Sequence, residues 1–134
     1  MIKDKWDIRP IGIIRTPYKE KAPYQGKFSR DPCEVEVFEE YEEGLKDVEE
    51  CSHLIVLYWL HKANRGMLQS HSPRDGKLHG VFATRSPNRP NPIGFCVAEL
   101  IERRGRFLKV VGLDAFDGTP LIDIKPYFSD IDSP

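Results

Sequence analysis

The most constraining feature of this chain is a series of short apolar or alternating runs, each too brief for a helix and each closed by turn chemistry. Cys33 to Phe38, CEVEVF, sets Cys33, Val35 and Val37 on one side and Glu34 and Glu36 on the other. That period of two belongs to a half-buried strand. Asp7 to Arg15, DIRPIGIIR, ends in a β-branched apolar run. His53 to Leu60, HLIVLYWL, is continuously apolar and reads as a strand buried on both faces. VFAT (81–84), IGFCVAEL (93–100), FLKVVGL (107–113) and TPLIDIKPY (119–127) follow, and Gly105 marks a hairpin turn between the fifth and sixth runs. In the last run, alternation sets Leu121 and Asp123 opposite Ile122 and Ile124. Only Tyr41 to Cys51, YEEGLKDVEEC, suggests a helix, weakened by Gly44. About seven short strands and one short helix predict an all-β fold, a small barrel or sandwich forming a single domain over residues 1–134.

Two connections exceed hairpin length. Thr16 to Pro32 is polar and punctuated by proline, and His61 to His79 is polar without periodicity. Connections this long in a compact domain are usually functional or disordered. No apolar run approaches the ~18 residues of a membrane span. The N-terminal segment lacks the apolar stretch of a secretory signal. Cys33, Cys51 and Cys96 are scattered and odd in number, so a reducing cytoplasm is the expected setting. The four histidines show no metal-ligand spacing, and no metal is expected. Charge is divided unevenly. Glu34 to Glu50 holds nine acidic residues against Lys46, so with a net charge of −1 overall the rest of the chain carries +7. That balance permits a local patch for an anionic partner without making the protein a general polyanion binder.

The segment ATRSPNRPNPIG, Ala83 to Gly94, places Pro87, Pro90 and Pro92 among Arg85, Asn88, Arg89 and Asn91. Proline fixes its own φ and restricts its predecessor, so guanidinium and amide groups are held on a stiff frame. Such a loop suits either a rigid crossover or a seat for an anionic or ribose-bearing ligand. Asp114, Asp117 and Asp123 form a second cluster, with Asp117-Gly118-Thr119-Pro120 spelling a tight turn. No GxGxxG and no GxxxxGK[ST] occurs, which removes the common nucleotide cradles.

Four blocks, in order, carry a resemblance: IGIIRTPYKEKAPYQG, CSHLIVLYWLH, FATRSPNRPNPIG and LDAFDGTPLIDIKPY. Together they resemble the TsaA-like family, which includes the TrmO-type tRNA methyltransferases, from about Ile8 to Tyr127. The resemblance implies a β-barrel methyltransferase that uses S-adenosylmethionine, works as a homodimer and modifies tRNA. The implied acceptor is N6 of threonylcarbamoyl-adenosine beside the anticodon. It implies donor binding by Pro23, Tyr24, Gln25, His61, Lys62, Arg85, Asp117, Gly118, Thr119 and Pro120, with Asn88, Arg89 and Asn91 toward the substrate. Asp117, Asp114 and His61 remain open as acceptors of the proton released on transfer. Longer members carry a further C-terminal domain, which a chain ending soon after Tyr127 is expected to do without. A small-molecule acceptor, or donor binding without transfer, are the alternatives.

Overall fold

The computed structural model describes residues 4–20 and 29–134. Six strands close into a barrel in the order β1 (Gly12–Arg15), β2 (Cys33–Val37), β7 (Phe107–Val111), β6 (Ile93–Arg104), β3 (His53–Trp59) and β8 (Thr119–Pro126). All neighbouring pairs are antiparallel. Two further strands, β4 (Gln69–His71) and β5 (Leu78–Gly80), pair only with each other. The expected small barrel is present, with six strands in its wall rather than about seven.

Alternation explains the interior. From β2 and β7, Cys33, Val35, Val37, Leu108 and Val110 point inward and are buried, while Glu34 and Lys109 face out and oppose each other across the ladder. Each fully buried aliphatic side chain contributes about 2 kcal/mol relative to exposure. On β3 the inward set is Leu54, Val56 and Tyr58, whereas Ile55, Leu57 and Trp59 are half-buried on the outer wall. The expectation of burial on both faces is thus corrected. The wall is a single closed sheet, and its outer side is only partly covered.

Other expectations change for local reasons. A bulge where β3 meets β8 pairs Leu57 with Asp123 and Tyr58 with Leu121, leaving Ile122 without a ladder partner. Leu121 and Ile124 therefore both reach the core, in place of simple alternation. Val81–Ala83 forms a single 3-10 turn instead of a strand, closed by the Thr84 amide on the Val81 carbonyl at 3.1 Å. The helix expected over Tyr41–Cys51 is two 3-10 segments, Glu39–Leu45 and Val48–Glu50. Asp47, at φ 70°, separates them, and Leu45 is the one fully buried residue in either. Clustered glutamates and a left-handed break leave a longer helix little to gain. The second long connection is not structureless, because it folds into the β4–β5 ribbon around Gly76 at φ +70°.

Chain direction in the ladders fixes what gathers at each end of the barrel. The C-terminal ends of β1 and β3 and the N-terminal ends of β6 and β8 share one end, since Ile14 opposes Thr119, Trp59 opposes Ile93 and Tyr58 opposes both Gly94 and Leu121. The Arg104–Phe107 hairpin lies at the other.

Candidate functional site

Most of the segments singled out in the sequence meet at the first of these ends. After β7 the backbone turns at Gly112, φ 101°, and the run Leu113–Gly118 crosses the barrel mouth before β8 begins. This run grips the residues that follow β1. The Thr16 hydroxyl donates to the Ala115 carbonyl at 2.8 Å, and the Thr16 amide donates to Asp117 Oδ1 at 3.0 Å. The Asp117 amide donates to the Tyr18 carbonyl, and the Gly118 amide to that of Ile14, each at 2.8 Å. Lys19 reaches Asp117 Oδ2 at 3.3 Å. The turn needs Gly118, whose φ is +85°. A Cβ there would meet nothing within 4 Å, so the turn borders open space.

The backbone amide of Thr16, and after it Lys19, hold the Asp117 carboxyl below the usual carboxylate range. Asp117 is thereby a fastener: both of its oxygens are engaged, and its low pKa suits it poorly to accept a proton near neutrality. Asp114 faces inward. Its Oδ1 accepts from the Tyr58 hydroxyl and from the Cys96 thiol, the latter at 3.1 Å. Burial, and then the neighbouring acidic groups, push the Tyr58 phenol far above its ordinary value and the Cys96 thiol up to about 12, so both remain protonated donors. Among the described residues Asp114 Oδ2 has no hydrogen-bond partner.

Of the remaining expected donor-binding residues, His61 and Lys62 follow β3 and are exposed at the mouth. The Lys62 ammonium lies 5.3 Å from the centre of the Phe116 ring, which ties it to the Asp117 turn. Thr119 is buried and bonds the Phe116 carbonyl at 2.7 Å, and Pro120 opposes Ile13. Arg85 stands apart on the outer wall, its guanidinium 5.8 Å from the centre of the Phe95 ring. Pro23, Tyr24 and Gln25 lie outside the described residues. The ends of their loop are close, because the Tyr18 hydroxyl bonds both Ser29 and Asp31.

The proline-stiffened segment is braced from within. Arg89 Nη1 donates to the carbonyls of Thr84 and Ser86, each at 3.0 Å. Asn88 Oδ1 accepts from the Asn64 amide at 2.9 Å, and Arg65 donates to the Pro90 carbonyl and to Asn91 Oδ1. The three residues expected toward the substrate, Asn88, Arg89 and Asn91, thus hold the loop and its neighbour in shape. The arginines of the hairpin do similar work at the far end. Arg103 bonds the Leu45 carbonyl and Glu49, and Arg106 bonds Glu36 and the Val37 carbonyl.

Sequence reasoning passed over Thr16, Tyr18, Phe116, Tyr58 and Cys96. A signal existed for one of them. A tyrosine at an inward strand position must find a partner for its hydroxyl, and a polar group nearby in the fold is the place to look. The histidines are dispersed: His79 pairs with Asp75 at 2.8 Å on the ribbon, and His53 meets Ser52. Among the described residues no three His, Cys, Asp or Glu side chains converge as metal ligands.

Residues 13–133 match the sequence profile of the tRNA-methyltransferase O N-terminal domain. The chain is 64% identical over 128 residues to a probable S-adenosyl-L-methionine-binding protein of Archaeoglobus fulgidus, covering 94% of this chain and 35% of that protein. It is 43% identical over 135 residues to the tRNA (adenine(37)-N6)-methyltransferase of Mus musculus, covering 93% of this chain and 31% of that one. The crystal structure of TrmO from Pseudomonas aeruginosa superposes with a TM-score of 0.80 at 32% identity, over 98% of this chain and 60% of that one. The chain thus spans about a third of the length of the two sequence relatives.

The Asp117 clamp has a pH signature. A depressed carboxyl pKa contributes stability that is complete above the unfolded value of about 3.9 and is lost as pH falls through the lower folded value. Urea unfolding at neutral pH should show Asp117→Asn less stable than wild type by about 1 kcal/mol, a modest figure for a bond near the surface. The gap should close as the pH falls below the unfolded value and through the lower folded one; a gap of constant size across that fall would contradict the clamp.

Proposed function

This chain belongs to the tRNA-methyltransferase O N-terminal-domain family, and from that premise we propose that it binds S-adenosyl-L-methionine at the barrel end built around Asp117. We further propose that it directs methylation of N6 in threonylcarbamoyl-adenosine, next to the tRNA anticodon, in the cytoplasm. The observation that carries this reading is convergence. Lys62 after β3, Phe116 and the Asp117–Pro120 turn lie together, although the sequence separates them by more than fifty residues. The groups present suit such a ligand. Lys62 is placed to hold a carboxylate, Asp114 Oδ2 to accept from an ammonium or N–H group, and Gly118 to let a ligand approach the backbone closely.

When bound, S-adenosyl-L-methionine would supply an activated methyl group, which an attacking nitrogen takes in line as the methyl–sulfur bond breaks and the neutral thioether leaves. The chain's part is to hold the two reactants in register and exclude water. The interlocked turn and the braced proline segment supply that rigidity in advance, which lowers the ordering cost of binding. With Asp117 occupied by Thr16 and Lys19, and Asp114 committed to Tyr58, Cys96 and the donor's N–H, His61 remains to receive the proton lost from nitrogen.

A homodimer belongs to the same reading. Leu68, Leu78 and Phe82, around the ribbon, and Ile93 and Phe95 on the barrel wall are exposed apolar residues, Phe82 at 82%. Arg85 stands among them on Phe95, so a second copy seated there would enclose its guanidinium. Sedimentation equilibrium should report twice the chain mass, and Phe82→Asp should shift it to one; a monomeric wild type would contradict the dimer.

The test of activity is mass spectrometry of nucleosides from total tRNA incubated with the purified protein and isotopically labelled S-adenosyl-L-methionine. One added methyl on threonylcarbamoyl-adenosine is the expected result. Retention of the methyl donor with no labelled tRNA would favour a binding module or a small-molecule methyltransferase. The name of the Archaeoglobus relative, a binding protein, favours the former.

A further inference from the structure

The barrel interior holds a polar group that the family's sequence blocks do not announce. Tyr58, 2% exposed, lies beside the last residue of β3 and points inward; Cys96, also buried, points inward from β6. Their polar atoms meet at 3.2 Å, and both donate to Asp114 Oδ1. Space for the phenol ring comes from Gly94, its direct cross-strand neighbour, where a Cβ would fall 2.2 Å from Tyr58 Cε2. Two strands, β3 and β6, thus converge on one oxygen of one carboxyl group just below the mouth. The other oxygen is left without a partner among the described residues.

A hydroxyl and a thiol buried in an apolar interior cost free energy unless they are bonded, so a chain has reason to place them there together only where the bond has a use or the alternative is worse. Phenylalanine and alanine would fill the same positions without that demand. The network also acts at the right point. Asp114 sits between Gly112 and the Ala115–Asp117 run that grips Thr16, so anchoring its carboxyl fixes both the direction of Oδ2 and the start of the turn.

We propose that Tyr58 and Cys96 are positioning residues that fix the Asp114 carboxyl so that Oδ2 receives a nitrogen-bound hydrogen of S-adenosyl-L-methionine. This rests on the donor site proposed above. The role is indirect: neither residue touches ligand, and both act through Asp114. Removing either donor frees the carboxyl to turn or to recruit water, and the ligand must then reorder it on binding.

Isothermal titration of the full chain with S-adenosyl-L-methionine provides the test. Tyr58→Phe, which keeps the ring, should weaken binding about tenfold, and Asp114→Asn at least as much. In the double variant, Tyr58→Phe should add nothing to Asp114→Asn, because the path it acts through is already cut. Cys96→Ala should weaken binding several-fold, and Cys96→Ser, which restores a donor, should recover most of it. Circular dichroism identifies any variant that fails to fold; should Tyr58→Phe be one, the Cys96 pair decides alone. Wild-type failure to bind would remove the donor site itself and this inference with it. Wild-type binding with unchanged affinity in folded Tyr58→Phe, equal affinity in both Cys96 variants, or additive losses in the double variant would overturn the positioning role and leave the donor site standing.

Discussion

The closure of β1 against β8 is the constraint from which the rest follows. Gly12 opposes Leu121 and Ile14 opposes Thr119, joining segments that lie about a hundred residues apart in the chain. Closure removes the exposed sheet edges that invite wrong pairing. It also brings the residues following β1 under those preceding β8, and the interlock of Thr16 and Tyr18 with Ala115 and Asp117 is the outcome. An open sheet with the same strands would leave the Asp117 turn and the Thr16 loop at opposite edges.

Within that interlock, two carboxyl groups three positions apart acquire different tasks from their surroundings. Asp117 lies at the rim, where an amide and a lysine hold it ionised and engaged. Asp114 turns into the barrel, against a phenol and a thiol that burial keeps protonated. The proline-rich segment contributes rigidity of another kind. Its amide and guanidinium groups bond the loop's own carbonyls and the neighbouring Asn64–Arg65 turn, so the frame is fixed by hydrogen bonds as well as by restricted φ.

How far the sequence discloses this depends on the range of the interaction concerned. The alternation of Cys33–Val37 is local, and it predicted both the strand and its buried face. The D-G turn at Asp117 was legible because positive φ at Gly118 is a local demand. The inner and outer faces of β3 were not, since Ile55, Leu57 and Trp59 are as apolar as their inward neighbours, and only barrel geometry separates them. The bulge that carries both Leu121 and Ile124 inward depends on where β3 passes, which no pattern within β8 records. The same applies to the site. Asp117 announced itself, whereas Tyr58 and Cys96 lie in apolar strands and gain meaning only when β7 delivers Asp114 between them.

The most direct measurement of the central claim is an amide chemical-shift map of the protein titrated with S-adenosyl-L-methionine. Perturbations should concentrate on His61, Lys62 and the run from Asp114 to Thr119, at the end of the barrel where β1 meets β8. Shifts confined to the opposite end, around Arg103 to Arg106, or no shifts at saturating ligand, would contradict the account.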